Sequence, residues 1–267
     1  MKEYVDILFL GDIVGRPGRL GVAKFLQEKL TEKSDFIIAN VENASHGFGL
    51  TQRNYNELSE LGINCFTSGN HIWDKKDIFE YINDADKLIR PINYPKDTPG
   101  VGSRIFKLND ISIGVINALG RVFMSPIDSP WEALEDEIKR MHYETPIILI
   151  DFHAEASAEK VCLGYFADRL GVSAVLGTHT HIQTADEKIL KNGAAYITDI
   201  GFCGAYGSVI GMDIESSLKR LITGMPERYN IATIEKVEIN GVKISINTKT
   251  GSAKSIERIQ YFTNITE

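Results

Sequence analysis

The sequence predicts an α/β fold in which short buried strands alternate with amphipathic helices. Short apolar runs recur along the chain, as over residues 146–152, and such runs are typical of strands buried on both faces. Trp131, Leu134, Ile138 and Met141 follow helical spacing and would lie on one face of a helix. The length of 267 residues, with 43% hydrophobic and 24% charged residues, is ordinary for a globular protein.

The individual elements follow from these patterns and from their capping residues. Thr51 can cap a helix that carries Tyr55 and Leu58 on one face. Pro130, after Ser129, suits the first position of another helix. Helices are predicted over residues 17–30, from 51 onward, around 76–82 and from 129 onward. Strands are predicted over residues 5–10, 36–40, 63–67, 104–108, 111–117, 146–152, 174–176 and 195–200.

The C-terminal part of the chain is predicted to consist of antiparallel strands. Strand patterns cover residues 231–237, 242–246 and 256–262, and Asn240-Gly241 is typical of a tight turn between antiparallel strands. The sequence shows no linker, repeat or low-complexity stretch. We therefore expect one continuous domain over residues 1–267.

Composition limits the classes of protein that the chain can represent. No run of about 18 apolar residues occurs, so the sequence predicts no membrane span. Asp6 and Asp12 interrupt the first apolar run, which argues against a signal peptide and favours a cytoplasmic protein. Three widely spaced cysteines, Cys65, Cys162 and Cys203, are expected to be reduced core residues. The net charge of −7 disfavours nonspecific nucleic-acid coating.

Polar residues follow one predicted strand after another. They are Asp12, Glu42, Asn43, Asn70, His71, His153, His179 and His181. The carboxyl ends of strands in open α/β sheets are where ligands bind. Carboxylate, amide and imidazole groups without cysteine suit manganese, iron or zinc. The set is too large for one tetrahedral zinc and is about enough for two metals that share a bridging carboxylate.

The chain resembles the calcineurin-like metallophosphoesterases in the order of its motifs, Gly11-Asp12, Glu42-Asn43, Gly69-Asn70-His71, His153 and Gly177-Thr178-His179-Thr180-His181. Five stretches resemble more closely the YmdB-like bacterial branch. They are Gly11-Asp12-Ile13-Val14-Gly15, Val41-Glu42-Asn43-Ala44, Asn70-His71-Ile72-Trp73-Asp74, Asp151-Phe152-His153-Ala154-Glu155 and Thr198-Asp199-Ile200-Gly201. The resemblance implies a metallophosphoesterase-type sandwich of two mixed β-sheets flanked by α-helices. It also implies a dinuclear iron or manganese centre, with zinc as an alternative, and hydrolysis of phosphodiesters such as 2′,3′-cyclic nucleotides by a metal-bridging hydroxide.

The resemblance assigns roles by position. Asp12, Glu42, Asn43 and His181 match the ligands of one metal. Glu42, Asn70, His153 and His179 match those of the other, so Glu42 would bridge. His71 matches the proton donor to the leaving group. Two positions depart from the broad superfamily, Val14 where a histidine is usual and Glu42 where an aspartate is usual, and the YmdB-like branch shares both departures.

Several further predictions concern substrate and partners. His46 and Arg16 lie on loops near these motifs, where contact with a phosphodiester substrate and a plain surface or scaffolding role are about equally expected. The expected substrate is a small molecule or a short nucleotide. The apolar loop Val122-Phe123-Met124 is a candidate interface between copies of the chain.

Three rival functions are weaker than phosphodiester hydrolysis. A dinucleotide-dependent oxidoreductase would need a glycine fingerprint, which the spacing from Gly11 to Gly18 misses. A metallopeptidase is disfavoured because no His-Glu-x-x-His helix occurs. A regulatory protein that keeps a metal-stabilised fold with little catalysis is the main alternative, and the intact ligand set with His71 weighs against it.

Overall fold

The structure is a computed structural model that describes residues 2–28 and 34–265. Its strands are β1 Tyr4–Leu10, β2 Asp12–Ile13, β3 Phe36–Asn40, β4 Cys65–Thr67, β5 Ser103–Leu108, β6 Ile111–Leu119, β7 Ile148–His153, β8 Ala174–Thr178, β9 Lys188–Ile189, β10 Ala195–Ile197, β11 Phe202–Ala205, β12 Lys236–Asn247 and β13 Ala253–Asn264. Its helices are α1 Gly15–Glu28, α2 Gln52–Glu60, α3 Ile78–Tyr81, α4 Pro130–Met141, α5 Ser157–Arg169 and α6 Ile214–Thr223.

The first sheet contains seven strands within the described residues, in the order β2-β11-β12-β1-β3-β4, with β13 also paired to β12. The pairs β1–β3 and β3–β4 are parallel, whereas β12 runs antiparallel to β1, β11 and β13. The parallel strands β1, β3 and β4 therefore end at one edge. Asp12, Glu42 and Asn70 follow them there.

The second sheet has six strands in the part of the chain that the structure covers, in the order β5-β6-β7-β8-β10-β9. Strands β6, β7, β8 and β10 are parallel, and β5 and β9 are antiparallel strands at the two edges. His153 ends β7, and His179 and His181 follow β8. Both sheets are mixed, which confirms the predicted sandwich architecture.

Side chains point alternately to the two faces of each sheet, and this alternation produces the layers of the fold. Ile7 and Phe9 of β1 pack with Val115 and Leu149 of the second sheet, in the core between the sheets. The intervening Leu8 and Leu10 face a separate core with helices α1 and α2, and a third core lies between the second sheet and helices α4 and α5. Since successive strand residues point to opposite faces, central strands such as β7 and β8 bury both faces. The order of layers is helix, sheet, sheet, helix.

Most of the predicted elements are present, with corrections at several of them. Thr51 caps α2 by accepting from Asn54 N at 3.3 Å, and Pro130 occupies the first turn of α4. The predicted helix over 17–30 is observed as Gly15–Glu28, and residue 30 lies outside the described residues. The helix expected around 76–82 is one turn, Ile78–Tyr81. Helices α5 and α6 were not predicted from the sequence.

The predicted tight turn at Asn240-Gly241 is wrong. Both residues lie inside β12, where the strand passes from pairing with β11 to pairing with β1. A Cβ at Gly241 would lie 2.4 Å from the carbonyl oxygen of Phe9, so glycine is required by a close backbone approach. The strand expected over 231–237 begins only at Lys236. The real turn between β12 and β13 spans residues 248–252.

The expectation for the cysteines holds in part. Cys65 and Cys203 are buried and free, as expected for core residues, whereas Cys162 is free and exposed on α5. The prediction that Cys162 is a core residue is therefore wrong, because the helix turns that position towards solvent. Over residues 2–28 and 34–265, no helix combines the length and the apolar character needed to cross a membrane.

A buried ion pair fixes the loop after β8. Lys160 of α5 and Asp199 are each 1% exposed, and Lys160 Nζ lies 2.7 Å from Asp199 Oδ2. Lys160 Nζ also donates to the carbonyl oxygen of Thr178 at 2.7 Å, and Asp199 accepts from Thr180 N and from Gly201 N. Because Thr178 and Thr180 flank His179, this pair holds the backbone that carries the histidines.

We expect Lys160→Met to destabilise the protein by about 3–5 kcal/mol, because it leaves a buried carboxylate without its cation. The free energy of unfolding in urea measures the effect. Lys139→Met is the matched control, since Lys139 pairs with Glu135 on an exposed face of α4 and its loss should change stability little. Equal unfolding midpoints for the two variants would contradict the prediction.

Candidate metal centre

The candidate ligands come from both sheets, and each sheet supplies one kind of donor atom. Asp12, Glu42, Asn43 and Asn70 follow strands of the first sheet and offer oxygens. His153, His179 and His181 follow or end strands of the second sheet and offer nitrogens. The site therefore lies where the carboxyl ends of parallel strands from the two sheets meet, as the sequence predicted.

Three of these residues converge on one atom of a fourth, His153 Nε2. It lies 2.9 Å from Glu42 Oε1, 3.0 Å from His179 Nδ1 and 3.2 Å from Asn70 Oδ1. Glu42, His153 and His179 each place a ligand atom within 4.8 Å of the others, which is a spacing that can hold a metal ion. The structure thus brings together the four residues expected at the second metal.

Asp12 and His181 lie next to these four residues, and Asn43 directly follows Glu42 in the chain. Among the described residues, Asp12 Oδ1 and Asn43 Oδ1 are buried polar atoms without a hydrogen-bond partner. His181 Nε2 and His153 Nδ1 each lie 3.8 Å from Asp12 Oδ1, which is too long for a hydrogen bond. Leaving such oxygens unpaired is unfavourable unless a cation or water binds them.

In each of the three histidines, one ring nitrogen contacts a group outside the cluster. His153 Nδ1 lies 2.9 Å from Thr178 Oγ1, and His181 Nδ1 lies 3.0 Å from the carbonyl oxygen of Ile210. His179 Nε2 lies 3.2 Å from Glu155 Oε2. The other nitrogen of each ring faces the cluster. Metal-binding histidines typically show this division, because the outward hydrogen bond fixes ring orientation and tautomer.

Charge in this cluster is unevenly shared between the two closest imidazoles. Burial disfavours a charged His153, but the charge and hydrogen bond of Glu42, together with the charges of Asp12 and Asp151, raise the pKa of His153 to about 9. Burial, together with the neighbouring charge of His153, lowers the pKa of His179 to about 3. Burial raises and His153 lowers the pKa of Glu42, which is about 2. The cluster therefore favours one positive charge beside Glu42, where a metal cation could replace the proton.

Polar residues outside the cluster support His153. The sequence assigned no role to these supporting residues. Thr178 Oγ1 donates to Asp151 Oδ1 at 2.7 Å, so it accepts from His153 Nδ1–H. Asn40 Nδ2 donates to the other oxygen of Asp151 at 3.1 Å. Burial raises the pKa of Asp151 to about 6. Asp151 and Thr178 belonged to recognised stretches, which were the available signals, whereas Lys160 carried none.

His71 lies at the rim of the cluster and has its own partners. Its backbone N donates to Glu42 Oε2 at 2.8 Å, and its Nδ1 lies 2.8 Å from Asp74 Oδ2. The edge of the ring contacts Phe48, with centroids 4.8 Å apart. The side chain is 29% exposed, unlike the buried His153. Nε2 is therefore the nitrogen that remains for a substrate.

Backbone geometry at two places explains why these side chains can meet. A Cβ at Gly69 would lie 2.3 Å from His153 Cδ2 and 2.5 Å from Glu42 Oε2, so only glycine fits there. His179 and His181 have φ angles of 98° and 64°, in the left-handed region that non-glycine residues rarely adopt. The loop holds both rings over the cluster through this unusual backbone.

His46 and Arg16 do not join the cluster. Both are exposed and line a separate cavity, next to the loop that carries Asn43. The structure thus places them beside the candidate metal centre rather than in it. Val122 and Phe123, expected at an interface, are 44% and 88% exposed.

The cluster fits the metal ions that the sequence predicted. Three inward-facing imidazole nitrogens lie beside two buried carboxylates and two amide oxygens. Two of those oxygens lack any partner among the described residues. Mixed nitrogen and oxygen donors without thiolate suit iron, manganese or zinc. The donor types therefore suit a metal ion, and Glu42, His153 and His179 have the spacing to hold one.

Comparisons with known proteins identify the family of this chain. A family model described as YmdB-like protein matches residues 8–259. The 2′,3′-cyclic-nucleotide 2′-phosphodiesterase of Bacillus subtilis (strain 168) is 47% identical, over 95% of this chain and 96% of that protein. A novel phosphatase from Mycoplasma pneumoniae superposes with a TM-score of 0.91 and 32% identity, covering 99% of this chain and 96% of that one.

A protein from Thermus thermophilus described as hypothetical has a TM-score of 0.90 and 34% identity, covering 97% of this chain and 99% of that chain. Both solved structures therefore share the whole fold. The family model spans most of the chain, and the Bacillus relative matches nearly end to end. The chain belongs to the YmdB-like protein family.

Proposed function

We propose that the protein is a metal-dependent phosphodiesterase that hydrolyses nucleotide phosphodiesters, 2′,3′-cyclic nucleotides in particular. The observation that carries the proposal is the set of three histidines, each with one nitrogen held outward and one facing the cluster of buried carboxylates. The name of the Bacillus relative supports the substrate class. The phosphatase name of the Mycoplasma structure supports phosphoester chemistry.

Two metal ions would divide the cluster between them. Asp12, Glu42, Asn43 and His181 would hold one ion, and Glu42, Asn70, His153 and His179 the other. Iron or manganese is our first choice, and zinc also suits the donors. When bound, such a pair supplies an activated water and neutralises charge on the phosphoryl oxygens.

His71 is the proposed proton donor to the leaving oxygen. Asp74 accepts from Nδ1–H and fixes the orientation of the ring, so that Nε2 carries the proton to be transferred. The backbone bond from His71 N to Glu42 Oε2 sets the distance of this residue from the cluster. Asp74 therefore acts as a positioning residue.

Metal removal should abolish hydrolysis of methyl 4-nitrophenyl phosphate, and added manganese should restore it. His153→Ala should lower metal content, because its Nε2 is the atom on which the candidate ligands converge. Elemental analysis and nitrophenol release measure the two effects. His142→Ala is the control, since that exposed histidine contacts Leu170 O and lies before β7, at the opposite end of that strand from His153. Full activity after exhaustive chelation would refute the proposal, and bound metal without hydrolysis would favour the regulatory alternative.

His71→Ala should keep its metals and lose about 10²–10⁴-fold in kcat towards 2′,3′-cyclic AMP, whose leaving alkoxide needs a proton. The loss should be much smaller with methyl 4-nitrophenyl phosphate, because nitrophenolate leaves readily without protonation. Steady-state kinetics and elemental analysis test both statements. Loss of metal, or equal losses on the two substrates, would contradict the assigned role.

Asp74→Asn should lower kcat less than His71→Ala does, and it should have no further effect in the His71→Ala background. The reason is that Asp74 acts only through the His71 ring, so the two changes are not additive. A double-mutant cycle on kcat with 2′,3′-cyclic AMP measures this coupling. Independent, additive losses would show that Asp74 has another role.

A further inference from the structure

Two aromatic side chains extend from the candidate metal centre on the side of His71. The ring of Phe48 contacts the His71 ring, with centroids 4.8 Å apart, and it also contacts the ring of Tyr229, with centroids 5.6 Å apart. Phe48 is half-buried, and Tyr229 is 42% exposed. We call Phe48 and Tyr229 the aromatic pair. It begins in contact with the proposed proton donor and reaches solvent at Tyr229.

The loop that carries Asn43 holds Phe48 in place. Asn43 Nδ2 donates to the carbonyl oxygen of Gly47, the residue before Phe48, at 2.8 Å. The Phe48 side chain packs against a buried apolar cluster made of Val14, Phe202 and Met212. Phe202 stacks in turn on the ring of His181, with centroids 5.6 Å apart. The position of Phe48 is therefore connected to a candidate ligand of each sheet.

A separate set of contacts fixes the backbone next to Tyr229. The carbonyl oxygen of Ile210 lies 3.0 Å from His181 Nδ1. In the same segment, Asp213 N donates at 2.9 Å to the carbonyl oxygen of Asn230, the residue after Tyr229. Two routes, through His71 and through His181, thus place Tyr229 beside the candidate metal centre.

Tyr229 offers a flat surface to a ligand. The guanidinium carbon of Arg220 lies 4.2 Å from the ring centroid and covers one face. Because Tyr229 is still 42% exposed, a planar ligand can reach the surface that Arg220 leaves open. Nucleobases are ligands of this kind, since every base has a π-face that stacks on aromatic side chains. The aromatic pair therefore suits a nucleobase.

The proposed reaction brings a nucleobase next to the aromatic pair. His71 would protonate the leaving ribose oxygen of a 2′,3′-cyclic nucleotide, which is bonded to C2′ or C3′. The base is bonded to C1′, directly next to C2′, so it lies no more than one sugar ring away from that oxygen. Phe48 and then Tyr229 follow His71 at centroid distances of 4.8 and 5.6 Å, a span that a ribose and its base can bridge.

We propose that the base of the leaving nucleoside stacks on the aromatic pair while the scissile phosphodiester lies at the metal centre. This inference rests on the proposed function, because the role of His71 fixes which part of the substrate lies there. It goes further in assigning Phe48 and Tyr229 as residues that determine specificity. Stacking reads the face of a base and not its edge, so all four 2′,3′-cyclic nucleotides should be substrates, and a sugar diester without a base should be a poor one.

Two substrates that differ only in the base test the inference. They are 2′,3′-cyclic AMP and the 2,3-cyclic phosphate of methyl ribofuranoside. The wild type should prefer cyclic AMP about tenfold in kcat/KM, the gain expected from one stacked base. Tyr229→Leu should lose this preference through a loss on cyclic AMP alone, and Tyr229→Trp should keep it, because an aromatic face is retained.

Tyr143→Leu is the matched control, since Tyr143 is 91% exposed and lies just after α4. It should keep the wild-type preference for cyclic AMP. An unchanged preference in Tyr229→Leu would overturn the inference. Equal losses on the two substrates in that variant would also overturn it, because they would show that Tyr229 only supports the structure around His71.

Fluorescence of 2-aminopurine riboside gives a second readout without catalysis, because stacking on an aromatic ring quenches it. Wild type and Tyr143→Leu should quench it saturably, and Tyr229→Leu should not. Equal quenching by all three proteins, or by none, would overturn the inference. If quenching follows the expected pattern but no diester is hydrolysed, the proposed function fails and the role of the aromatic pair stands. If both cyclic substrates are hydrolysed equally well by the wild type, the reverse holds.

Discussion

The position of one buried imidazole constrains the whole site. His153 ends a central strand of the second sheet, yet its Nε2 must meet Glu42 and Asn70 from the first sheet. Thr178 and Asp151 hold its other nitrogen, so the ring cannot turn. A shift between the sheets would separate oxygen donors from nitrogen donors. The apolar core between the sheets therefore determines the geometry of the cluster as well as the stability of the fold.

This origin of the donors explains the division of roles around the cluster. The oxygens come from loops after β1, β3 and β4, and the nitrogens come from β7 and the loop after β8. The ring of His71, although next to Asn70, is 29% exposed and is held by Asp74. In the proposed mechanism, two residues that are adjacent in sequence thus have different roles. The backbone bond to Glu42 keeps them in register.

The strands and the cluster were predictable because both depend on local signals, whereas the sandwich of two sheets was implied only by the resemblance to a known family. Alternating apolar runs specified strands, and polar residues at their ends specified the shared edge, so Asp12, Glu42, Asn70 and His153 were found together. The features that the sequence did not predict correctly depend on tertiary contacts. Gly241 resembles a turn residue, but the approach of Phe9 requires it. Lys160 resembles a surface lysine, but Asp199 and Thr178, remote in sequence, bury it. Contacts between residues that are remote in sequence produce no periodic pattern in the sequence.

The left-handed backbone at His179 and His181 has a consequence for how this protein can change. Such conformations typically raise the energy of a non-glycine residue by on the order of 1–3 kcal/mol. Glycine would relieve that strain at either position, and a sequence selected only for stability would favour it. It would also delete a nitrogen donor. Function and stability are thus selected in opposite directions at this loop, and stability-guided redesign should hold both positions fixed.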